Sequence, residues 1–174
     1  MRKEEEKIKA LILSHLYPNK ENPISGLFVA QQVEEMSKQG CAVRVISPLP
    51  WVPFFLAGWK PKWQGLKKVA WSAEINGVKV FYPRFPVLPK KLARFLIPFS
   101  YYLFVKRLVQ KIRGDFPFNL IHAHTALPDG YAAMLIARRL NLPFVVTIHG
   151  YDLDPANLQK RIWKRSLKKV ITKA

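Results

Sequence analysis

Short apolar runs alternate with stretches whose apolar residues recur at helical spacing, and this alternation constrains the chain more than any other feature. Residues 8–14 (Ile-Lys-Ala-Leu-Ile-Leu-Ser) read as a first, central strand. A loop from His15 to Gly26 carries Pro18, Asn19, Asn22, Pro23 and Ser25. Leu27, Phe28, Val29, Val33 and Met36 then fall at helical spacing, and Gly40 ends that helix. Residues 41–47 form a second strand. A strand, a helix and a strand in succession make a βαβ unit, whose two strands run parallel because the connection is a crossover and not a hairpin.

The pattern continues to the end of the chain. Residues 48–73 are rich in Pro and Trp and read as irregular. Asn76-Gly77 signals a turn before a strand of β-formers, residues 78–82. A helix is expected over residues 89–113, with Pro98 near its middle and Gly114 just past its end. Residues 120–124 are the next strand, and residues 129–140 a helix whose start holds Asp129, where an anion suits the helix dipole. Residues 144–148 are another strand, and residues 155–168 a helix with Pro155 in its first turn. Residues 170–172 read as the start of one more strand, which suggests a piece of a longer protein. The expectation is a single α/β domain over residues 1–174, with a doubly wound, mostly parallel, Rossmann-like sheet.

Charge narrows the partners. The net charge is +18, from 29 Lys and Arg against 11 Asp and Glu. Residues 51–113 hold 13 of the basic side chains and one acid, Glu74; residues 155–174 hold seven and no acid. A field of one sign implies an anionic partner: nucleic acid, a phosphorylated substrate or an acidic membrane surface. No helix-turn-helix, zinc-finger or RNP pattern accompanies the charge, so no specific nucleic acid is expected. The lone Cys41 reads as a small residue opening a strand, and one thiol fits a reducing compartment. The acidic N-terminal segment does not read as a secretory signal, and neither uncharged run, residues 45–59 or 95–105, reaches the roughly 20 apolar residues of a membrane span. The expected location is cytoplasmic.

Ligands of an open parallel sheet bind beyond the carboxyl ends of its strands. After the first strand come His15 and then Ser25-Gly26, where glycine permits close backbone approach and the following helix N-terminus favours an anion such as a diphosphate. The dinucleotide pattern G-x-G-x-x-G is absent, against NAD. After the fourth strand come His122 and His124, two residues apart and so on one face. No carboxylate has the local spacing to complete a metal site with them, and no metal is expected. After the fifth comes His149, followed by Gly150, which lets the chain turn, and by Asp152 and Asp154, either of which can cap the next helix. A neutral imidazole there can donate a hydrogen bond to a substrate hydroxyl or phosphate oxygen, or be fixed by Asp152 with no substrate role. G-x-S-x-G is absent, against a hydrolase of that kind.

Taken together, Pro18 with Ser25-Gly26-Leu-Phe-Val, Ile121-His-Ala-His124 and Val146-Thr-Ile-His149-Gly150-Tyr-Asp152 resemble the N-terminal domain of family 4 glycosyltransferases. Asn76-Gly77-Val78-Lys-Val80 before Pro83-Arg84 matches the polysaccharide-assembly members. The resemblance covers nearly the whole chain and implies one domain of a GT-B fold. It implies a retaining transfer of a sugar from a nucleotide-sugar donor, UDP- or GDP-linked, to an acceptor glycan or glycolipid, with no further cofactor and no obligatory metal. His149 takes the place of the family's catalytic histidine at the donor sugar. Gly26, with Ser25 where many members have a second glycine, takes the place of the loop near the diphosphate. His124, Gly150 and Asp152 fall on the substrate side of the cleft. The nucleotide pocket and the acidic E-x7-E element belong to a C-terminal domain outside this sequence, so the chain alone is expected to be inactive.

Two basic aromatic stretches remain. The first holds Trp51, Phe54, Phe55, Trp59 and Trp63; the second sets Phe95, Phe99, Tyr101, Tyr102 and Phe104 among Lys90, Lys91, Arg94, Lys106 and Arg107. Aromatics at headgroup depth beside cations suit an anionic membrane surface, and related transferases reach lipid-linked acceptors through this region. Peripheral attachment to the inner face of the cell membrane is the expectation, with core packing under a Trp-rich loop as its rival. The alternative overall is a basic nucleic-acid-binding or membrane-docking α/β domain without catalysis.

Overall fold

The structure, a computed structural model, describes residues 7–51, 61–86 and 97–174, with the side chains of residues 61–64 excepted. Phe54, Phe55, Trp59, Lys90, Lys91 and Arg94, the Trp63 side chain and the first part of the helix expected from residue 89 lie outside the described residues.

The strands are β1 (Lys9–Leu13), β2 (Ala42–Ile46), β3 (Leu49–Trp51), β4 (Ser72–Ile75), β5 (Val78–Phe81), β6 (Arg84–Pro86), β7 (Leu120–His124) and β8 (Phe144–Thr147). Helices are α1 (Leu27–Lys38), α2 (Pro61–Lys68), α3 (Ile97–Asp115), α4 (Tyr131–Leu140), α5 (Pro155–Leu158) and α6 (Arg161–Ile171). Six strands form one sheet in the order β4-β5-β2-β1-β7-β8, and β3 pairs with β6 apart from it. Every neighbouring pair in the large sheet is parallel except β4 with β5. That exception is a hairpin: Asn76 and Gly77 both have positive φ, 50° and 75°, as a tight primed turn requires.

Alternation along β1 builds two cores. Leu11 and Leu13 pack with α3, α4 and α6 on one face, whereas Ala10 and Ile12 pack with Val29 and Val33 of α1 on the other. Both faces are therefore covered, which is why β1 is apolar at four successive residues, Ala10–Leu13, all 0% exposed. The register Ile12↔His122 puts His122, and with it His124, on the α1 side of β7. The expected doubly wound architecture is present.

Four local readings are corrected. Residues 48–73 are not wholly irregular: β3, α2 and the start of β4 lie there. The Arg84 guanidinium donates to the Leu66 and Val69 carbonyls at 2.8 and 2.7 Å, tying the end of α2 to the strand beside it. The helix expected over residues 155–168 is two, with Pro155 opening α5 and a break before α6. Residues 170–172 are not a strand. Leu167 and Val170, three apart, are buried and Trp163 packs beside them on the core, so helical periodicity governs residues whose β-branching alone suggested a strand. Pro98 is the second residue of the described part of α3, and Gly114 lies inside that helix, one residue before its end.

Candidate active site

From β1 the chain winds outward to β2 and β5, then crosses to β7 on the far side of β1. The gap between β1 and β7 is the topological switch point, where a crevice opens beyond the carboxyl ends of the strands. His15 follows β1 there, Thr125 follows β7, and His149 lies just past β8.

His149 is half-buried and gripped from three sides. Its backbone N–H donates to Asp152 Oδ2 at 3.1 Å, and its carbonyl accepts the Asp152 N–H at 2.9 Å. Its Nε2 lies 3.4 Å from His124 Nδ1, with the two rings stacked at 5.7 Å. The Phe28 ring, from the first turn of α1, meets it edge-on at 4.8 Å. Asp152 is fully buried, and its other oxygen accepts the Ala126 N–H at 2.9 Å, so one carboxylate joins the turns after β7 and β8. Burial pushes the Asp152 carboxyl up, against the pull of those backbone hydrogen bonds. It does not cap the following helix; Asp154 does, accepting from Ala156 N at 2.8 Å.

Behind His149 stand two more imidazoles. His124 is 0% exposed, and its Nε2 has no hydrogen-bond partner. Burial first, then the neighbouring His122 and His149, push its pKa down to about 3, so it is a neutral ring at any physiological pH. His122, lowered by burial and then by the neighbouring His149, contacts Thr147 Oγ1 at 2.8 Å. The expected shared face of His122 and His124 is present, with ring centroids 4.4 Å apart. Among the described residues no group of three side chains converges as a metal site.

Gly26 is the N-cap of α1 at φ +65°, and a Cβ there would come closer than 3.0 Å to the Leu16 carbonyl and the Tyr17 nitrogen. Only glycine lets the loop after β1 lie against the helix start. No side chain caps that N-terminus, and no acid occupies its first turn. Ser25, half-exposed, leads into it. Gly150, by contrast, has no positive φ, and a Cβ there would meet nothing, so the turn does not demand glycine. Its lack of a side chain keeps space open beside His149.

The structure thus brings Gly26, through Phe28 of the same helix turn, together with His149 and His124. It puts His124 and Asp152 out of contact with solvent, behind His149 and not at the open rim where substrate contact was expected. It also shows a second cluster that the sequence left unassigned. Asp129, 0% exposed, accepts from the His15 backbone N–H at 2.8 Å, faces His15 Nδ1 at 2.6 Å and accepts from Thr125 Oγ1 at 2.8 Å. Thr125 holds φ at 81°, a strained value for a β-branched residue, and in that conformation its hydroxyl reaches the carboxylate. The position of His15 directly after the first strand matched that of His149 near the end of the last, and that symmetry was the available signal.

The chain matches the model of the glycosyl transferase 4-like domain over residues 25–174. It is 31% identical over 148 residues to a Bacillus subtilis (strain 168) protein named as a teichuronic acid biosynthesis glycosyltransferase, TuaC, covering 84% of this chain and 37% of that one. Among solved structures it is similar to sucrose-phosphate synthase from Thermosynechococcus elongatus, with a TM-score of 0.58 at 14% identity over 93% of this chain and 40% of that one. The chain therefore spans well under half the length of both proteins.

Proposed function

The chain belongs to the family of glycosyl transferase 4-like domains, and from that premise we propose that it is the acceptor-side half of a retaining, nucleotide-sugar-dependent transferase. Its donor is UDP- or GDP-linked and its acceptor a glycan or lipid-linked glycan, in keeping with the polysaccharide named for the Bacillus relative. A second domain supplies the nucleotide pocket, and the chain alone does not turn over, because transfer needs both halves closed on the donor.

One observation carries this reading: His149 is the half-exposed member of a histidine cluster at the sheet's carboxyl edge, held beside an uncapped helix N-terminus. In the proposed complex its ring touches the donor sugar, while the first N–H groups of α1 and the helix dipole favour the diphosphate. His124 and Asp152 position the ring and do not touch substrate. The test is replacement of His149 by Ala in the complete two-domain enzyme, which removes transfer without unfolding the protein.

A membrane surface is the proposed second partner. Phe99 and Phe104 of α3 are 51% and 50% exposed, with Leu103 between them and Arg107 one turn on, and Trp51 at the end of β3 is 54% exposed. Apolar rings in water beside a cation suit a lipid headgroup layer. No helix among the described residues is long and apolar enough to cross a bilayer, so contact is peripheral, at the inner face of the cell membrane. The chain is expected to float with vesicles containing anionic lipid and to detach as salt rises; failure to float at low salt contradicts this.

A further inference from the structure

Resting on the reading that the chain meets a membrane, we propose that α6 is a second lipid-contact element, whose outward face lies on the headgroups of an anionic bilayer. The helix is sharply two-sided. Trp163, Leu167 and Val170, at helical spacing, pack on the core. Arg161, Lys164, Arg165 and Lys168, spaced by three and four residues, form a stripe on the other side, and all four are exposed. Because the core side is anchored, the basic side is held outward. α6 packs on the same core as α3, so this face lies on the same side of the sheet as the exposed rings of α3.

The helix's own needs do not account for these charges. Lys168 and Lys169, in the last turn, suit the helix dipole. Lys160 at the N-cap and Arg161 and Lys164 in the first turn oppose it, and no acid accompanies them there. Arg161 with Arg165, and Lys164 with Lys168, are like charges four apart, an arrangement that destabilises a helix. Among the described residues none of these cations has a carboxylate at ion-pair distance. On the other face of the sheet the arrangement is the reverse: Lys38 of α1 pairs with Glu34 and Glu35 at 3.0 and 2.8 Å. Local choices that work against a helix's stability, with no compensation inside the fold, mark a face kept for a partner.

The neighbouring helices say what that partner is. α4 packs against both α3 and α6. Its Arg139 lines a groove with Lys106 of α3, and Lys169 Nζ of α6 lies 5.6 Å over the Tyr131 ring of α4. Asp115, the last residue of α3, is the one acid in α4, α6 and the described part of α3. Apolar side chains stand in water on the same helices: Phe99 and Phe104 on α3, and Ile162 and Ile171 on α6, the last two 50% and 49% exposed. A soluble polyanion would meet the cations and leave these groups wet. A bilayer meets both, with lipid phosphates on the cations and the apolar groups in the headgroup layer. α6 is also tied to the site: Trp163 Nε1 donates to the carbonyl of Asp152, at 3.3 Å, and the Asp152 carboxylate holds the His149 backbone.

The experiment is flotation of the complete enzyme with vesicles of phosphatidylcholine, alone or mixed with phosphatidylglycerol. It compares wild type, the triple variant Arg161→Gln, Lys164→Gln, Arg165→Gln, and the pair Phe99→Ser, Phe104→Ser, each beside its thermal unfolding. Wild type is expected to bind the mixed vesicles at low salt and to leave the neutral ones unbound. A cation near the surface changes partition about fivefold, so the triple variant is expected to bind about 100-fold more weakly. Its melting temperature is expected to equal or exceed that of wild type, because charges opposing the helix have gone. Undiminished binding by the triple variant overturns the proposal. A melting temperature below wild type does so too, since the cations would then be structural. So does wild-type binding of soluble polyphosphate as tight as of vesicles, since the occupant would then be a polyanion. Loss of binding in the Phe99 and Phe104 pair with none in the triple variant overturns the role of α6 alone. Wild type that ignores the mixed vesicles refutes the membrane reading itself, so the two failures are distinguishable.

Discussion

His124 is an imidazole sealed in the interior with no carboxylate against it, and its cost is set by pH. Its folded-state pKa is depressed to about 3 from an ordinary 6.5, so the unfolded chain binds a proton over that interval and the folded chain does not. Its contribution is fully present above about pH 6.5 and is lost as pH falls toward 3, at up to about 1.4 kcal/mol per pH unit. His122, lowered in the same direction, adds to the slope. Urea unfolding at pH 7 and pH 5 is expected to show this loss, and His124→Phe to flatten it; equal slopes in both proteins would contradict the buried neutral ring. In the sequence, His122 and His124 were legible as same-face neighbours because strand periodicity alone fixes that. Their burial was not legible, because it depends on α1 and β8 closing over them, and so His124 was read as a substrate contact. Asp129 was similarly read as a helix-dipole residue, because its partner His15 is 114 positions away in the chain.

At the scale of elements, the start of α1 links fold to site. The helix can begin where it does only because Gly26 adopts φ +65° against the Leu16 carbonyl, and this beginning carries Phe28 onto His149. Gly26→Ala combines a left-handed backbone, about 1–2 kcal/mol for an L-residue, with an overpacked contact of similar size. It is expected to destabilise the chain by roughly 2–4 kcal/mol in chemical denaturation and to displace the Phe28 ring from His149. A neutral effect would mean that the loop after β1 does not lie against the helix. The regular elements β1, α1, β2, β5, β7, α4 and β8 were legible because each has a clean period of its own. What escaped was short or governed from outside: β3 and β4 are edge strands of three and four residues. The end of α6 takes its helical state from Leu167 and Val170 packing on the core, where Gly130 leaves room, a Cβ there lying 3.0 Å from Val170.

At the scale of the molecule, a doubly wound sheet with both faces covered leaves its carboxyl edge as the place where chemistry can be assembled. That edge carries two clusters: His149 with Phe28 and the α1 N-terminus, and His15 with Asp129. The basic surplus of +18 gives the chain a field that draws phosphorylated ligands and acidic surfaces alike. The proposed nucleotide-sugar reading rests on the family to which the chain belongs and on the geometry at His149. The most direct measurement is therefore turnover of the complete enzyme carrying His149→Ala, taken beside its thermal unfolding. A fall in kcat of about 100-fold or more, with a melting temperature close to wild type, is the predicted result. Undiminished transfer in a folded variant would contradict the account.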